Sequence, residues 1–324
     1  MSAAAPQHTD ETPAFNGQPP ADFPIDRSLK IYEETLKDEF TNNVINAMGP
    51  ATAPRTREIF TSLIRHLHAF AREVNLLTPE WFYGINQLNK MGQMSDEKRN
   101  EAVLVSDVVG LEALVDHITQ AHILHTSHGA TPSAILGPFY RENSPRYPNG
   151  GDIVQKHFEG EETALVHGRV IDIHTKQPLA GVTIEVWHTA PNGLYEQQDP
   201  EQPEFNLRGT VVSDEDGRYA FKCLKPTSYP IPYDGPAGDI LQAQGRHPMR
   251  PGHIHWRVTK PGYGSLITQI YDRQDKYTYN DSVFGVKDEL VVDFVECKTG
   301  EAKWELVYDI TLSLDKETAK LQGL

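Results

Sequence analysis

The chain has 324 residues, 38 % of them hydrophobic, a formal charge of −15 and two cysteines, Cys223 and Cys297. That length suits two modest domains or one domain with an elaborate cap, and the acidic balance argues against nucleic acid or an anionic membrane as the main partner. Two thiols are too few for a disulfide framework or a thiolate metal cage, no apolar run reaches membrane-spanning length, and no secretory layout opens the chain, so a cytoplasmic protein is expected.

Residues 1–26 are rich in Pro, Ala and small polar residues and read as a disordered arm. From 27 to about 130 the apolar spacing is helical. In RTREIFTSLIRHLHAFAREV, residues Ile59, Phe60, Leu63, Ile64, Leu67, Phe70 and Val74 fall on one stripe. Thr78-Pro79 opens the next helix with an N-cap residue and a first-turn proline. Ser95 opens another, whose apolar surface comes from Ala102, Val103, Leu104, Val108, Val109, Leu111 and Leu114. These spacings predict three or four helices in a compact bundle, followed by a linking segment at 131–159. From 160 to 315 the pattern changes to short β-branched and aromatic runs: LVHGRVIDI, VTIEVWHT, RYAFKCL, HIHWRVT, SLITQIYD, LVVDFVEC and WELVYDITLSL. Strands without long intervening helices predict an antiparallel β-sandwich or barrel. Residues 316–324 read as a C-terminal tail. The fold class expected is therefore α+β, with a helical domain followed by a β-sandwich.

The stretch RHPMRPGHIHWRV at 246–258 carries the sharpest chemical signal. On a strand, His253 and His255 share a face, about 6–7 Å apart along the chain, so both rings aim at one place. His66 and His68 repeat the spacing on a helix, where it puts them on nearly opposite faces. His122 and His125 sit near a helix end with no accompanying cysteine or well-spaced carboxylate, and His188 beside Trp187 reads as packing or surface. A cupin-type site would need a glutamate shortly after His255, where Thr259 and Lys260 stand instead. A two-histidine, one-carboxylate iron site with a distant Asp stays open. Tyrosine is the remaining source of ligands: Tyr195 ends TAPNGLY, and Tyr229 lies in the proline-stiffened loop PTSYPIPYDGPAG at 226–238. A phenol with a pKa of about 10 ligates at neutral pH only a strongly acidic cation, such as Fe(III).

Several stretches together resemble the intradiol ring-cleaving dioxygenases. They are LGPFY at 136–140, LAGVTIEVWHTAPNGLYEQQ at 179–198, FNLRGTVVSDEDGRYAFKCLKPTSYPIPYDGPAGD at 205–239 and GRHPMRPGHIHWRV at 245–258. The helical half, notably 77–116, resembles the N-terminal dimerisation domain of the catechol and hydroxyquinol 1,2-dioxygenase branch. The resemblance implies one Fe(III) per subunit, held by Tyr195, Tyr229, His253 and His255, with Tyr229 and His255 axial. It implies an active-site arginine at Arg250 and a glutamine at Gln269. Pocket walls are expected from Leu104 and Asp107 on a helix, from Ile135, Gly137, Pro138 and Phe139, and from Ile231 and Pro232.

The implied substrates are O₂ and a vicinal aromatic diol, opened between its hydroxyl-bearing carbons without nicotinamide or flavin. Hydroxyquinol is favoured over catechol because Asp107 could accept a hydrogen bond from a third hydroxyl, and protocatechuate is disfavoured because its carboxylate would face Asp107. A homodimer through the helical domain, with a lipid possible at its interface, is also implied. The competing reading is a non-catalytic transthyretin-like sandwich, which would explain the strands of GRVIDIHTKQPLAGVTIEVW but not the paired tyrosines and histidines together.

Overall fold

A computed structural model describes residues 38–124 and 129–315. The expected arm at 1–26, the adjoining 27–37, His125 and the tail at 316–324 lie outside these residues. Two compact units divide between Asn89 and Lys90.

The first unit holds α1 (Asp38–Asn46), α2 (Pro54–Glu73) and most of α3 (Thr78–Met94). Pro54 sits in the first turn of α2, where its missing N–H costs nothing. Thr41 on α1 is the anchor, with its hydroxyl 3.0 Å from both His68 Nδ1 and Arg72 Nη1. No residue of α2 is fully buried, and Ile59, Phe60, Leu63, Leu67 and Phe70 stay about half exposed.

In the second unit, α4 (Glu101–Val108) and α5 (Leu111–Leu124) precede the strands. Asn100 caps α4 by accepting the Val103 N–H at 3.1 Å. Glu101 is wholly buried yet satisfied: Arg99 Nη2 lies 2.7 Å away, and its other oxygen accepts the Ala237 N–H at the start of α6 (Pro236–Ala243). An acidic group is favourable at that helix N-terminus.

The strands are β1 (Gly151–Asp152), β2 (Thr163–Asp172), β3 (Thr183–Trp187), β4 (Arg208–Val212), β5 (Arg218–Leu224), β6 (Tyr229–Pro230), β7 (Met249–Arg250), β8 (His253–Thr259), β9 (Leu266–Asp272), β10 (Val291–Val292), β11 (Val295–Glu296), β12 (Trp304–Val307) and β13 (Ile310–Leu312). They form a six-stranded sheet, β1-β5-β2-β12-β11 with β13 also on β2, a five-stranded sheet, β10-β9-β8-β3-β4, and the ribbon β6-β7. The central pairs β2–β5, β3–β4, β3–β8 and β8–β9 are antiparallel, but β1–β5, β10–β9, β12–β2 and β13–β2 are parallel. This corrects the uniformly antiparallel reading. Parallel neighbours need a long connection, and the chain returns to these strands only after such excursions, as between Asp272 and Val291.

One hydrophobic core joins the two larger sheets. Val166, Val170, Phe221 and Ile310 from one meet Ile184, Val186, Ile254, Trp256 and Ile270 from the other, all fully buried. Tyr219 and Phe221 approach the Trp256 ring edge-on, at centroid distances of 5.7 and 5.4 Å. Edge-to-face aromatic packing of this kind adds to the burial itself.

Candidate active site

Strand register decides where the site lies. On β8, Ile254, Trp256 and Val258 point into the shared core, so His253 and His255 point to the opposite face. Pairing extends that face sideways: His253 stands opposite Tyr271 and His255 opposite Gln269 on β9, while Trp187 on β3 stands opposite His255. Trp187 then stacks on the His255 ring at 4.8 Å and 7°. A second pairing, β6 with β7, sets Tyr229 directly opposite Arg250. Tyr195 arrives from the turn after β3, where Gly193 at φ +81 reverses the chain and packs against the Tyr229 Cβ.

Four donor atoms converge. Tyr195 Oη is 3.2 Å from Tyr229 Oη and 3.0 Å from His255 Nε2, and His255 Nε2 is 3.1 Å from His253 Nε2. Two ligands each about 2.0–2.2 Å from one ion, at angles near 90–105°, stand roughly 3 Å apart, so these spacings fit donors around a shared cation. His253 Nδ1 lies 2.7 Å from the Pro251 carbonyl, which fixes its proton there and leaves the Nε2 lone pair facing the cluster. Burial holds both imidazoles well below their ordinary pKa; Arg250 adds to this at His253, and His253 and Arg250 add to it at His255. Both rings are therefore neutral. Burial pushes the Tyr195 phenol well above its ordinary value, with Tyr229 adding and Arg250 and Arg208 opposing, and it raises Tyr229 against the pull of Arg250. Only a strongly Lewis-acidic ion displaces such protons, and two phenolates with two neutral imidazoles suit a hard trivalent metal. Among the described residues no three His, Cys, Asp or Glu side chains gather into a metal site. The open carboxylate alternative thus gains no support.

Arg250 borders the cluster. Its Nη1 is 3.1 Å from His253 Nε2, its Nη2 donates to Gln269 Oε1 at 3.0 Å, and Asp281 grips Nε and Nη2 at 3.1 Å each. Burial opposes the guanidinium charge, but Asp281 outweighs it and Arg250 stays firmly protonated. Gln269 in turn donates to the Ile135 carbonyl at 2.6 Å, linking Arg250 to the pocket wall. Asp281, Tyr271 and Gly285 escape sequence reasoning. Asp281 lies 31 residues from Arg250 in an unremarked NDSVFG turn, and a Cβ on Gly285 would come within 2.9 Å of Arg250 Nη2.

The expected walls distribute as follows. Leu104, Ile135, Phe139 and Ile231 are buried in one cluster with Trp187, Tyr195 and Tyr229, and Phe139 packs on Tyr195 at 4.7 Å. Gly137, at φ +73, brings its backbone so near that a Cβ would lie 3.3 Å from His255 Cε1. Pro138 and Pro232 are half-buried beside these neighbours. Asp107 is buried, with one carboxyl oxygen lacking a protein partner; burial and then Glu112 push its pKa up to about 10. It is therefore a neutral acid rather than the carboxylate expected from sequence. On the same side, Arg246 donates to the Val108 carbonyl at 2.8 Å and the Ser282 carbonyl at 2.5 Å, and lies 4.7 Å over the Phe284 ring. His188 is buried with Nδ1 2.9 Å from the Thr189 carbonyl, His68 serves Thr41, and His122 is exposed.

Comparison with known proteins places the chain in a family. Residues 135–314 match the family described as Dioxygenase, and residues 53–125 match Catechol dioxygenase N terminus. The chain belongs to the intradiol dioxygenase family. A catechol 1,2-dioxygenase of Candida albicans is 50 % identical over 287 residues, covering 86 % of this chain and 93 % of that protein. A 6-chlorohydroxyquinol 1,2-dioxygenase of Cupriavidus pinatubonensis is 39 % identical, covering 87 % and 99 %. Among solved structures, a hydroxyquinol 1,2-dioxygenase from Pseudomonas putida superposes with a TM-score of 0.75 at 37 % identity, covering 86 % of this chain and 98 % of that one. As an intradiol dioxygenase the chain is a ring-cleaving enzyme, and its α+β build, helices first and sheets after, is that of its relatives. No helix among the described residues is long and apolar enough to cross a membrane.

Proposed function

We propose that this intradiol dioxygenase binds Fe(III) through Tyr195, Tyr229, His253 and His255 and opens hydroxyquinol or catechol between the two hydroxyl-bearing carbons, giving a maleylacetate- or muconate-type dicarboxylate. The observation that carries the reading is the convergence of those four donor atoms at 3.0–3.2 Å beside a buried guanidinium. When bound, Fe(III) supplies the Lewis acidity that holds both diol oxygens and makes the ring reactive toward O₂. The chain does the rest. Tyr229 Oη, which burial makes a strong proton holder, accepts one diol proton. Arg250 offsets negative charge developing on the ring, and Asp281 and Gln269 fix the fork that delivers it. Gly137, Phe139 and Trp187 exclude water and hold the Tyr195 and His255 rings in place.

Asp107 bears on the choice of diol. As a neutral acid it can donate to or accept from a third ring hydroxyl, and it costs less than a carboxylate when left facing the unsubstituted edge of catechol. Hydroxyquinol remains the first choice and catechol the second. The names of the relatives above, which include both activities, support the pair. The half-exposed stripe of α2 supports a homodimer formed through the helices, with the two sheets read as a sandwich carrying the site. Native mass spectrometry reads the dimer and any co-purified lipid together.

The test of function is turnover of hydroxyquinol, catechol, 4-methylcatechol and protocatechuate by one iron-loaded preparation under ¹⁸O₂. The expected result is a red-brown protein that puts both oxygen atoms into an acyclic dicarboxylate, fastest with the first two diols. A colourless active enzyme sinks the two-tyrosine assignment, and a protocatechuate preference sinks the substrate assignment.

A further inference from the structure

We propose that Arg208 is a positioning residue for Tyr195: a buried guanidinium, held by Glu196, that sits on the face of this phenol ring and sets how strongly its oxygen binds the metal. The inference rests on the reading of Tyr195 as an iron ligand and adds a residue that contacts neither metal nor substrate.

Arg208 is 0 % exposed, and its guanidinium carbon lies 5.6 Å from the centroid of the Tyr195 ring. Cations within about 6 Å of a ring face interact with it, and more strongly where water is excluded. Its Nε donates to Glu196 Oε2 at 2.6 Å and its Nη2 to Gln197 Oε1 at 2.8 Å, while Nη1 is buried without a protein partner. Glu196 and Gln197 are the residues directly after Tyr195, so Arg208 holds the short turn from which the phenol projects. Arg141 grips the second oxygen of Glu196 at 2.7 Å and extends on to Glu204 at 2.8 Å. The carboxylate is thus clamped from both sides. Tyr195 adds its own backbone lock, its N–H donating to Gln198 Oε1 at 3.0 Å.

The position of Arg208 follows from register. It opens β4 opposite Trp187, the ring that stacks on His255, so one cross-strand pair supports a tyrosine and a histidine of the cluster. Glu196 and Gln197 hold this guanidinium out of water against the ring. A phenolate on the neighbouring ring makes use of that charge. The guanidinium lies over the ring itself, so its charge reaches the Tyr195 oxygen through the π face.

The test uses the full-length ferric protein. Arg208→Met combined with Glu196→Gln removes the cation together with its counter-ion, which avoids stranding a buried carboxylate. With the cation gone, the Tyr195 phenolate is a better electron donor, so its charge-transfer band moves to longer wavelength. Loss of the clamp on the turn lowers ferric affinity about 10–100-fold, the range seen when residues that orient a metal ligand are changed. Arg208→Lys keeps a charge but loses the planar fork that spans Glu196 and Gln197, and its band moves part of the way. Should the double variant not fold, Arg208→Lys decides alone. A coloured protein whose band is unmoved in these variants, whatever its unfolding temperature, overturns the proposal and leaves Arg208 a structural ion pair. A wild-type protein that binds no iron or shows no band overturns the underlying ligand assignment instead.

Discussion

The two faces of β8 differ by one residue in sequence and by everything in chemistry. Ile254, Trp256 and Val258 enter a core that joins two sheets, where shape and apolar area matter. His253 and His255 enter a face built from polar pairings: imidazole with phenol, guanidinium with carboxylate, amide with carbonyl. The comparison teaches that the strand separates stability from chemistry by its period of two alone. A one-residue slip would exchange the two completely.

That separation can be broken on purpose. His255→Ala is expected to remove nearly all activity and most visible absorbance, whereas Trp256→Ala is expected to cost about 3–5 kcal/mol of stability with colour retained in the folded fraction. Absorbance and denaturant melts on the two neighbours decide it; equal loss of both properties in both variants would mean that the faces are not independent. A smaller effect sharpens the polar face. Arg250→Lys keeps the charge beside Asp281 but loses the planar fork, and turnover should fall on the order of 100-fold with iron content unchanged. Parallel loss of iron would make Arg250 a structural residue.

A further effect, read only through pH, concerns Asp107 on the helical side of the pocket. Its folded pKa of about 10 lies above its unfolded value, so the folded state holds a proton that the unfolded state releases as pH rises. The resulting penalty is absent below about pH 4 and grows as pH rises through the neutral range. Asp107→Asn, which cannot ionise, should therefore gain stability over the parent protein as melts move from pH 6 to pH 9. A constant difference across that range would mean that Asp107 is ionised when folded.

The sequence disclosed these features unevenly. His253-x-His255 was legible because strand periodicity is local, and so was the apolar stripe of α2. Tyr195 and Tyr229 are not legible by spacing, since they stand 34 positions apart on two separate segments; only family resemblance singles them out. Asp281 acts through Arg250, 31 residues away, and nothing in its own neighbourhood marks it. The raised pKa of Asp107 is hidden for a related reason: it depends on burial and on Glu112, neither of which a helical pattern reveals. Parallel edge pairing was hidden because a run of β-branched residues carries no sign of the direction of its neighbour.

Arg246 carries a mechanical consequence. One guanidinium joins the end of α4, the Ser282 carbonyl and the Phe284 ring, and Phe284 itself sits in the left-handed region at φ +59. The turn that presents Asp281 and the helix that presents Asp107 are thereby riveted at a single point. Displacement of either one at this rim therefore loads the Arg246 contacts that hold the other.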